Sequence, residues 1–391
     1  MARRLPAPSE GPTGSAAPAA RASWIESITQ APPRAGCAAS PFLLGVLEGE
    51  GIGPEVVRAS LRVLSALESV THRTFDLRFG GPIGITAERC CGAPLSADVI
   101  SFCREVFSQG GAVLAGPGGG RFVYDLRREF DLFCKLSPLK VSETLATSAR
   151  VKPEYVRGVD IVLVRENVAG VYQGRWSENL VPGEGRSAEH SFHYSERQVR
   201  RILEVAARIA TSRRGALTVV IKDGGIPTIS KLWRGCGEET AAKHGVRLSF
   251  LNIDHAAYCL IQHAQDLDVV VAPNLFGDIL ADLGSVLLGS RGLSFSGNFS
   301  SDGAAVYQTN HGSAYSLVGE NEANPMGQFF SLAMLLRESF GLEHEAAVIE
   351  GAVEQVLNAG WRTADLMAEG CRLASTLEAT DLVVEAVLRR G

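Results

Sequence analysis

Short runs of branched apolar residues, separated by segments of helical periodicity, limit the folds open to this 391-residue chain. They are PFLLGVL (41–47), AVLAG (112–116), VDIVLV (159–164), ALTVVI (216–221), RLSFLNI (247–253) and LDVVVAP (267–273). Continuous apolar runs of this length read as strands buried on both faces. Between them, SERQVRRILEVAARIATSR repeats its apolar residues at helical spacing. Strands alternating with helices predict an α/β fold with much parallel sheet. The opening PFLLGVLEGEGIGPEVVRASLRVLSAL reads as a strand, a glycine turn and a helix with Pro54 in its first turn. No fixed-period repeat is present.

The length suggests two or three domains. Residues 1–40 are rich in Ala, Pro, Ser and Gly, with Trp24, Ile25 and Ile28 as a short apolar cluster. Such a segment buries too little surface to offset its ordering entropy, so 1–40 is expected to be a mostly disordered extension. Its arginines faintly suggest a transit peptide, but a solvated extension is the plainer reading, and no apolar core of a secretion signal is present. A net charge of −5 leaves no basic surplus for nucleic acid. No stretch reaches the length of a membrane span. Cys37, Cys90, Cys91, Cys103, Cys134, Cys236, Cys259 and Cys371 form no CxxC pair, and read as buried thiols of a reducing, cytoplasmic setting.

Gly49, Gly51 and Gly53 follow the first strand, but Pro54 occupies the last position of a dinucleotide GxGxxG fingerprint. A tight turn and a ligand loop both stay open for it, as for GPGGGR (116–121). The acidic residues say more. In NLFGDILADLGS, Asp278 and Asp282 lie four apart, on one helix face, directly after an apolar strand. They repel unless a cation or basic partners neutralise them, and oxygen-only ligands favour Mg2+ or Mn2+. Asp254, after another strand, offers a third carboxylate. On pattern alone, a solvated helix face explains the aspartates equally well. Arg165 and Tyr172 follow a strand in DIVLVRENVAGVYQG, Lys222 ends VVIK, and HGSAYSLVGENEANP forms a polar loop. Each singly reads as a salt bridge, a core tyrosine or a surface loop. Together they point to metal-assisted chemistry on a small anionic substrate.

In this order the motifs resemble those of the isocitrate/3-isopropylmalate dehydrogenase family of metal-dependent β-decarboxylating dehydrogenases, from about Phe42 to the C-terminus. GEGIGPEVV resembles the family's GDGIGPE, with Glu50 in place of aspartate; FDLFCKLSPLKV resembles DLFANLRPVK, and RENVAGVYQG resembles RENTEGLY. NLFGDILAD, HGSA and the ANP of GENEANP match almost letter for letter. The resemblance implies two interleaved domains around a cleft. Residues 41–132 plus 289–391 would form a large cofactor-binding domain, and 133–288 a small dimerisation and substrate domain. It implies a homodimer with shared sites, in which Asp278 and Asp282 bind Mg2+ or Mn2+ together with Asp254 of the partner subunit. Arg127 and Arg165 would hold substrate carboxylate, and Tyr172 with the partner's Lys222 would be the acid–base pair. His311, Gly312, Ser313, Ala314, Ser316 and Asn324 would hold NAD.

Departures from the family pattern matter as much. Ser137 stands where the family has an arginine contacting the malate half of the substrate, and Lys135 replaces the asparagine before it. Lys135 restores a charge but not a bidentate fork. Gly224 lies where many members have asparagine near the nicotinamide. Ser316 and Leu317 replace the aspartate common in NAD users and the Lys-Tyr pair common in NADP users, which favours NAD and leaves NADP open. In RFVYDL, Arg121 is expected either to bind a further anionic group or to be a solvated loop residue. The expected activity is NAD- and metal-dependent oxidative decarboxylation of a 3-substituted malate, close to 3-isopropylmalate. The alternatives are a non-catalytic or regulatory homologue, because regulatory subunits lose the same arginine, and an isocitrate, homoisocitrate or tartrate dehydrogenase.

Overall fold

The computed structural model describes residues 23–29, 41–147 and 149–390. Besides a two-residue pair, Trp361–Arg362 with Arg372–Leu373, the described residues hold twelve strands: β1 (Phe42–Leu47), β2 (Phe75–Phe79), β3 (Ala112–Ala115), β4 (Cys134–Lys140), β5 (Asp160–Glu166), β6 (Arg175–Val181), β7 (Gly185–Ser191), β8 (Ala216–Ile221), β9 (Arg247–Asn252), β10 (Val269–Ala272), β11 (Phe295–Phe299) and β12 (Ala305–Thr309). Ten of them make one sheet in the order β2-β1-β3-β12-β11-β4-β5-β10-β8-β9. All six apolar runs are strands of this sheet. β1, β3 and β10 are buried almost throughout, as continuous apolar runs require. Pairing is parallel except around β4 and β11, where β4–β5, β4–β11 and β11–β12 run antiparallel.

The two ends of the chain meet on one half of the sheet. β1–β3 and β12 lie there, covered by helices Gly53–Thr71, Met326–Phe340, Glu343–Asn358 and Thr376–Leu388. β5, β8, β9 and β10 make the other half, beside helices Glu196–Thr211, Pro227–His244, Ile253–Gln262 and Asn274–Leu287. Local chemistry sets the helix starts. Pro54 sits in the first turn after β1. Ser195 and Gln198 form a reciprocal capping box at the head of Glu196–Thr211. That helix then buries Val199, Ile202, Leu203, Ala206, Ile209 and Ala210, one stripe at helical spacing.

Two expectations need correction. Residues 1–22 and 30–40 of the N-terminal extension lie outside the described residues, but 23–29 does not read as solvated chain. Ile25–Ile28 form a helical turn, and Trp24, Ile25 and Ile28 are built into the main core, Trp24 at 3% exposure. Ser23 Oγ and the Ile25 amide donate to Glu338 Oε2 at 2.8 and 3.1 Å, and Arg208 donates to the Ser27 carbonyl at 3.3 Å. Glu338 lies on Met326–Phe340 and Arg208 on Glu196–Thr211, so the turn joins helices of both halves of the sheet. Trp24→Ala is therefore expected to cost about 3 kcal/mol, the range for an emptied aromatic core site. A denaturation midpoint equal to that of the parent protein would show that the turn is not part of the folded core. The second correction concerns thiols: Cys90 and Cys91 are exposed and Cys371 is half-buried.

β6 and β7 pair only with each other and stand exposed except at Val181, which is half-buried. Trp176 and Leu180 share one exposed face of β6 but flank Glu178, so hydrophobic periodicity gave no sign of this hairpin.

Candidate active site

Parallel strands in an open α/β sheet present their carboxyl ends, and the loops beyond them, to one common edge. Arg165 is the penultimate residue of β5, and Asp278 lies one turn into helix Asn274–Leu287, which follows β10. Arg165 is 2% exposed. Its Nε and Nη2 donate to Asn274 Oδ1 at 3.1 and 2.8 Å, and its Nη1 donates to Asp278 Oδ1. Tyr172, in the short turn Val171–Gln173, donates its hydroxyl to Asp278 Oδ2 at 2.8 Å. Burial works to raise the Asp278 carboxyl, but Arg165, the Tyr172 hydroxyl, Lys135 and Arg127 hold it below the usual range. Burial and the Asp278 hydrogen bond push the Tyr172 phenol up, so it stays protonated at neutral pH.

Two further cations face this group. Arg127, on helix Phe122–Glu129, is 4% exposed, and Lys135, near the start of β4, is 5% exposed. Lys135 and Arg165 are cross-strand partners in the β4–β5 ladder. Among the described residues, neither the Arg127 guanidinium nor the Lys135 ammonium has a hydrogen-bond or ion-pair partner. Burial, then the Arg165 charge, lowers Arg127 to about 9. Burial, with Arg127 and Arg165 adding to it, lowers Lys135 well below the lysine range. Three basic groups thus gather around the one carboxylate of Asp278, an imbalance that an anionic ligand would relieve.

The rim is aromatic. Tyr124 and Tyr172 rings lie 5.0 Å apart, and Arg127 sits 6.0 Å from the Tyr124 centroid. Arg121 donates to the Tyr172 carbonyl at 3.3 Å, reaches Asp125 at 3.6 Å and lies 4.7 Å over exposed Trp176. Its guanidinium is therefore occupied at the rim.

The other expected groups form separate clusters within one chain. Asp282 faces outward and pairs with Arg291 at 3.1 Å. Lys222 and Asp254, just beyond the ends of β8 and β9, pair with each other at 2.7 Å, Lys222 half-buried and Asp254 exposed. Among the described residues of one chain, no three His, Cys, Asp or Glu side chains are close enough to hold a metal ion. The donors present are carboxylate oxygens, a set that fits a hard divalent cation once a third ligand joins Asp278 and Asp282. Gly224 is exposed beyond Lys222, with open space around it.

The loop after β12 carries the candidate cofactor residues. His311 Nδ1 pairs with the Gly312 carbonyl at 2.9 Å, while its Nε2 is buried without a partner among the described residues. Such an orphaned ring nitrogen fits a heterocyclic ligand. Gly312, Ala314 and Ser316 are exposed, and the Ser313 carbonyl accepts from the Ile52 amide at 2.9 Å. Asn324 is committed to the protein: Nδ2 donates to Asp365 and Oδ1 caps the Met326 amide. The Ser137 hydroxyl is buried within 3.4 Å of Asn310, just before this loop.

Sequence reasoning missed two residues. Asn274, fully buried, holds Arg165 and donates to the Asn167 and Ala169 carbonyls at 3.1 and 2.8 Å. Its place one helical turn before Asp278, at the head of the same helix, was the available sign. Glu50 is more than a variant of the glycine turn. Its carboxylate, 4% exposed, accepts from the Gly119 amide and from Thr86 N and Oγ1 at 3.0 and 3.3 Å. Burial tends to raise it, but the Thr86 and Gly119 amides hold it low. It binds the loops at 50, 86 and 119 into one floor beneath Ser313.

The family description "Isocitrate/isopropylmalate dehydrogenase" matches residues 43–383. A 3-isopropylmalate dehydrogenase of Bacillus licheniformis is 38% identical over 359 residues, which cover 88% of this chain and 95% of that protein. One from Heyndrickxia coagulans is 39% identical over 358 residues, covering 88% and 95%. The crystal structure of isocitrate dehydrogenase from Methylococcus capsulatus superposes with a TM-score of 0.80 at 27% identity, covering 89% of this chain and 99% of that one. An α/β sheet with a buried basic cluster at its strand ends, matched in this way, is that of an oxidoreductase. The chain belongs to the isocitrate/isopropylmalate dehydrogenase family.

Proposed function

We propose that this protein oxidatively decarboxylates a 3-substituted malate, with 3-isopropylmalate the nearest substrate, using NAD and Mg2+ or Mn2+. The observation that carries the reading is the buried group Arg127, Lys135 and Arg165 beside Asp278 and Tyr172: an excess of positive charge next to a carboxylate and a protonated phenol. The names of the relatives support the same reaction.

Residues 41–132 and 289–391 are proposed to act as one lobe against 133–288, with the pocket between them. The working unit is a homodimer. Exposed Tyr258 on Ile253–Gln262, and Ile279 and Val286 on Asn274–Leu287, give neighbouring helices an uncovered apolar face. An isolated hairpin such as β6–β7 is marginal alone and would gain from a second copy. In that dimer the partner's Asp254 completes the cation site of Asp278 and Asp282, and the partner's Lys222 enters the pocket.

Arg127 and Arg165 orient the substrate carboxylates. The partner's Lys222 takes the C2 hydroxyl proton as the C2 hydride departs. Carbon dioxide then leaves C3, and the Tyr172 hydroxyl returns a proton to that carbon, giving the 2-oxo acid. The cation, when bound, lowers the hydroxyl pKa and offsets the negative charge that develops on that oxygen. The 311–316 loop would hold NAD, which when bound would supply the hydride acceptor, and exposed Ser316 would offer its ribose a hydroxyl partner.

Ser137 supports a second reading, a ligand-binding homologue without turnover, because a substrate-holding guanidinium is missing there. One assay separates the two. With Mn2+ and NAD or NADP, cofactor reduction is followed against 3-isopropylmalate, isocitrate, homoisocitrate, tartrate and malate. Turnover with NAD, greatest for 3-isopropylmalate, is expected. No reduction across the panel, with thermal stabilisation by the same acids, would establish the second reading.

A further inference from the structure

We propose that Lys135 supplies the third cationic contact to the substrate, in place of the guanidinium that Ser137 lacks: the charge has moved two residues along one face of β4. The inference rests on the substrate reading above and names the group that recognises the acid's second anionic end. Side chains at i and i+2 of a strand point to the same face, with backbones about 7 Å apart. A lysine stem spans much of that distance, so an ammonium at 135 and a guanidinium at 137 can serve one ligand group.

Three observations single out Lys135. It is 5% exposed, yet its ammonium has no partner among the described residues, an arrangement that costs stability unless a ligand compensates. It stands directly across the β4–β5 ladder from Arg165, which itself donates to Asp278, so it lies beside the carboxylate-binding group. Arg121, the other available replacement, is already engaged by Asp125, the Tyr172 carbonyl and the Trp176 ring.

The exchange has a chemical consequence. A guanidinium fork fixes a carboxylate in one plane, whereas an ammonium is a point charge that tolerates several orientations. This chain is thus suited to a malate dianion whose C3 substituent tilts the distal carboxylate away from the plane a guanidinium fork would impose.

The test measures binding by calorimetry with Mg2+ and no nicotinamide, using 3-isopropylmalate, isocitrate, homoisocitrate, tartrate and malate as probes, alongside steady-state kinetics. Lys135→Met is expected to weaken the best-bound acid roughly 10- to 100-fold, the range for a lost charged contact. KM for that acid should rise while KM for NAD stays constant, and the salt dependence of binding should flatten. Lys135→Met combined with Ser137→Arg should recover most of the affinity, although Ser137→Arg alone adds little. A general structural defect would produce neither the rescue nor the KM split. Unchanged binding by Lys135→Met, or equal gains from Ser137→Arg in both backgrounds, overturns the proposal. Lys135-dependent binding without turnover refutes only the catalytic reading, and absence of binding by every acid refutes both.

Discussion

Lys222→Met should lower kcat by about 10³-fold, near the middle of the range for a lost general base. Methionine keeps the length and apolar stem of lysine and removes only the proton acceptor. Lys222 Nζ contacts Asp254 at 2.7 Å in a pair open to solvent, an arrangement that adds little to stability. The variant is therefore expected to melt with the parent protein and to bind 3-isopropylmalate within a few-fold of it. If sites are shared, mixing Lys222→Met with Tyr172→Phe subunits should restore turnover, because one site of each mixed dimer then holds both groups. A kcat within tenfold of the parent would remove Lys222 from the acid–base role. Mixed subunits that stay inactive despite exchanging would place both groups in one chain's site.

What the sequence made legible follows from the range of the forces involved. Strands buried on both faces leave continuous apolar runs, and each such run is a strand of the sheet. Asp278 and Asp282 are readable because helical spacing is local, and Arg165 because it lies near the end of a strand. Asn274 and Glu50 matter through partners far along the chain. Asn274 holds Arg165 across 109 residues, and Glu50 reaches Gly119 across 69. No local pattern encodes such contacts. Trp24 shows the same limit in reverse. Averaged over residues 1–40, composition says that too little is buried to fold; three side chains escape that average because Glu338, 313 residues from Ile25, provides a dock. The aspartates are scattered within one chain: Asp254 stands beside Lys222 and not beside Asp278, and the proposed dimer would carry both into a neighbour's site.

Gly51→Ala should disable the cofactor side of the site while sparing the acid side. Gly51 has φ +62°, and a Cβ added there would lie 1.9 Å from the Ser313 carbonyl oxygen and 2.7 Å from its carbon. Both are backbone atoms, so no rotamer change relieves the clash. The left-handed conformation alone costs an L-residue about 1–2 kcal/mol. Forcing the segments apart also breaks the Ile52 amide bond to the Ser313 carbonyl, worth about 1 kcal/mol. Together they amount to about 3 kcal/mol, or roughly 100-fold in affinity if spent on displacing residues 312–316. The expected result is a KM for NAD and a dissociation constant for NADH both raised by about that factor, with 3-isopropylmalate binding unchanged. Gly92→Ala is the control: Gly92 has φ +80° at a helix end, but open space surrounds its would-be Cβ. It carries the backbone strain without the clash, so it should leave NADH binding intact. If both variants weaken NADH alike, strain and not the Gly51–Ser313 contact governs the loop. If neither does, the loop at 311–316 does not hold the cofactor.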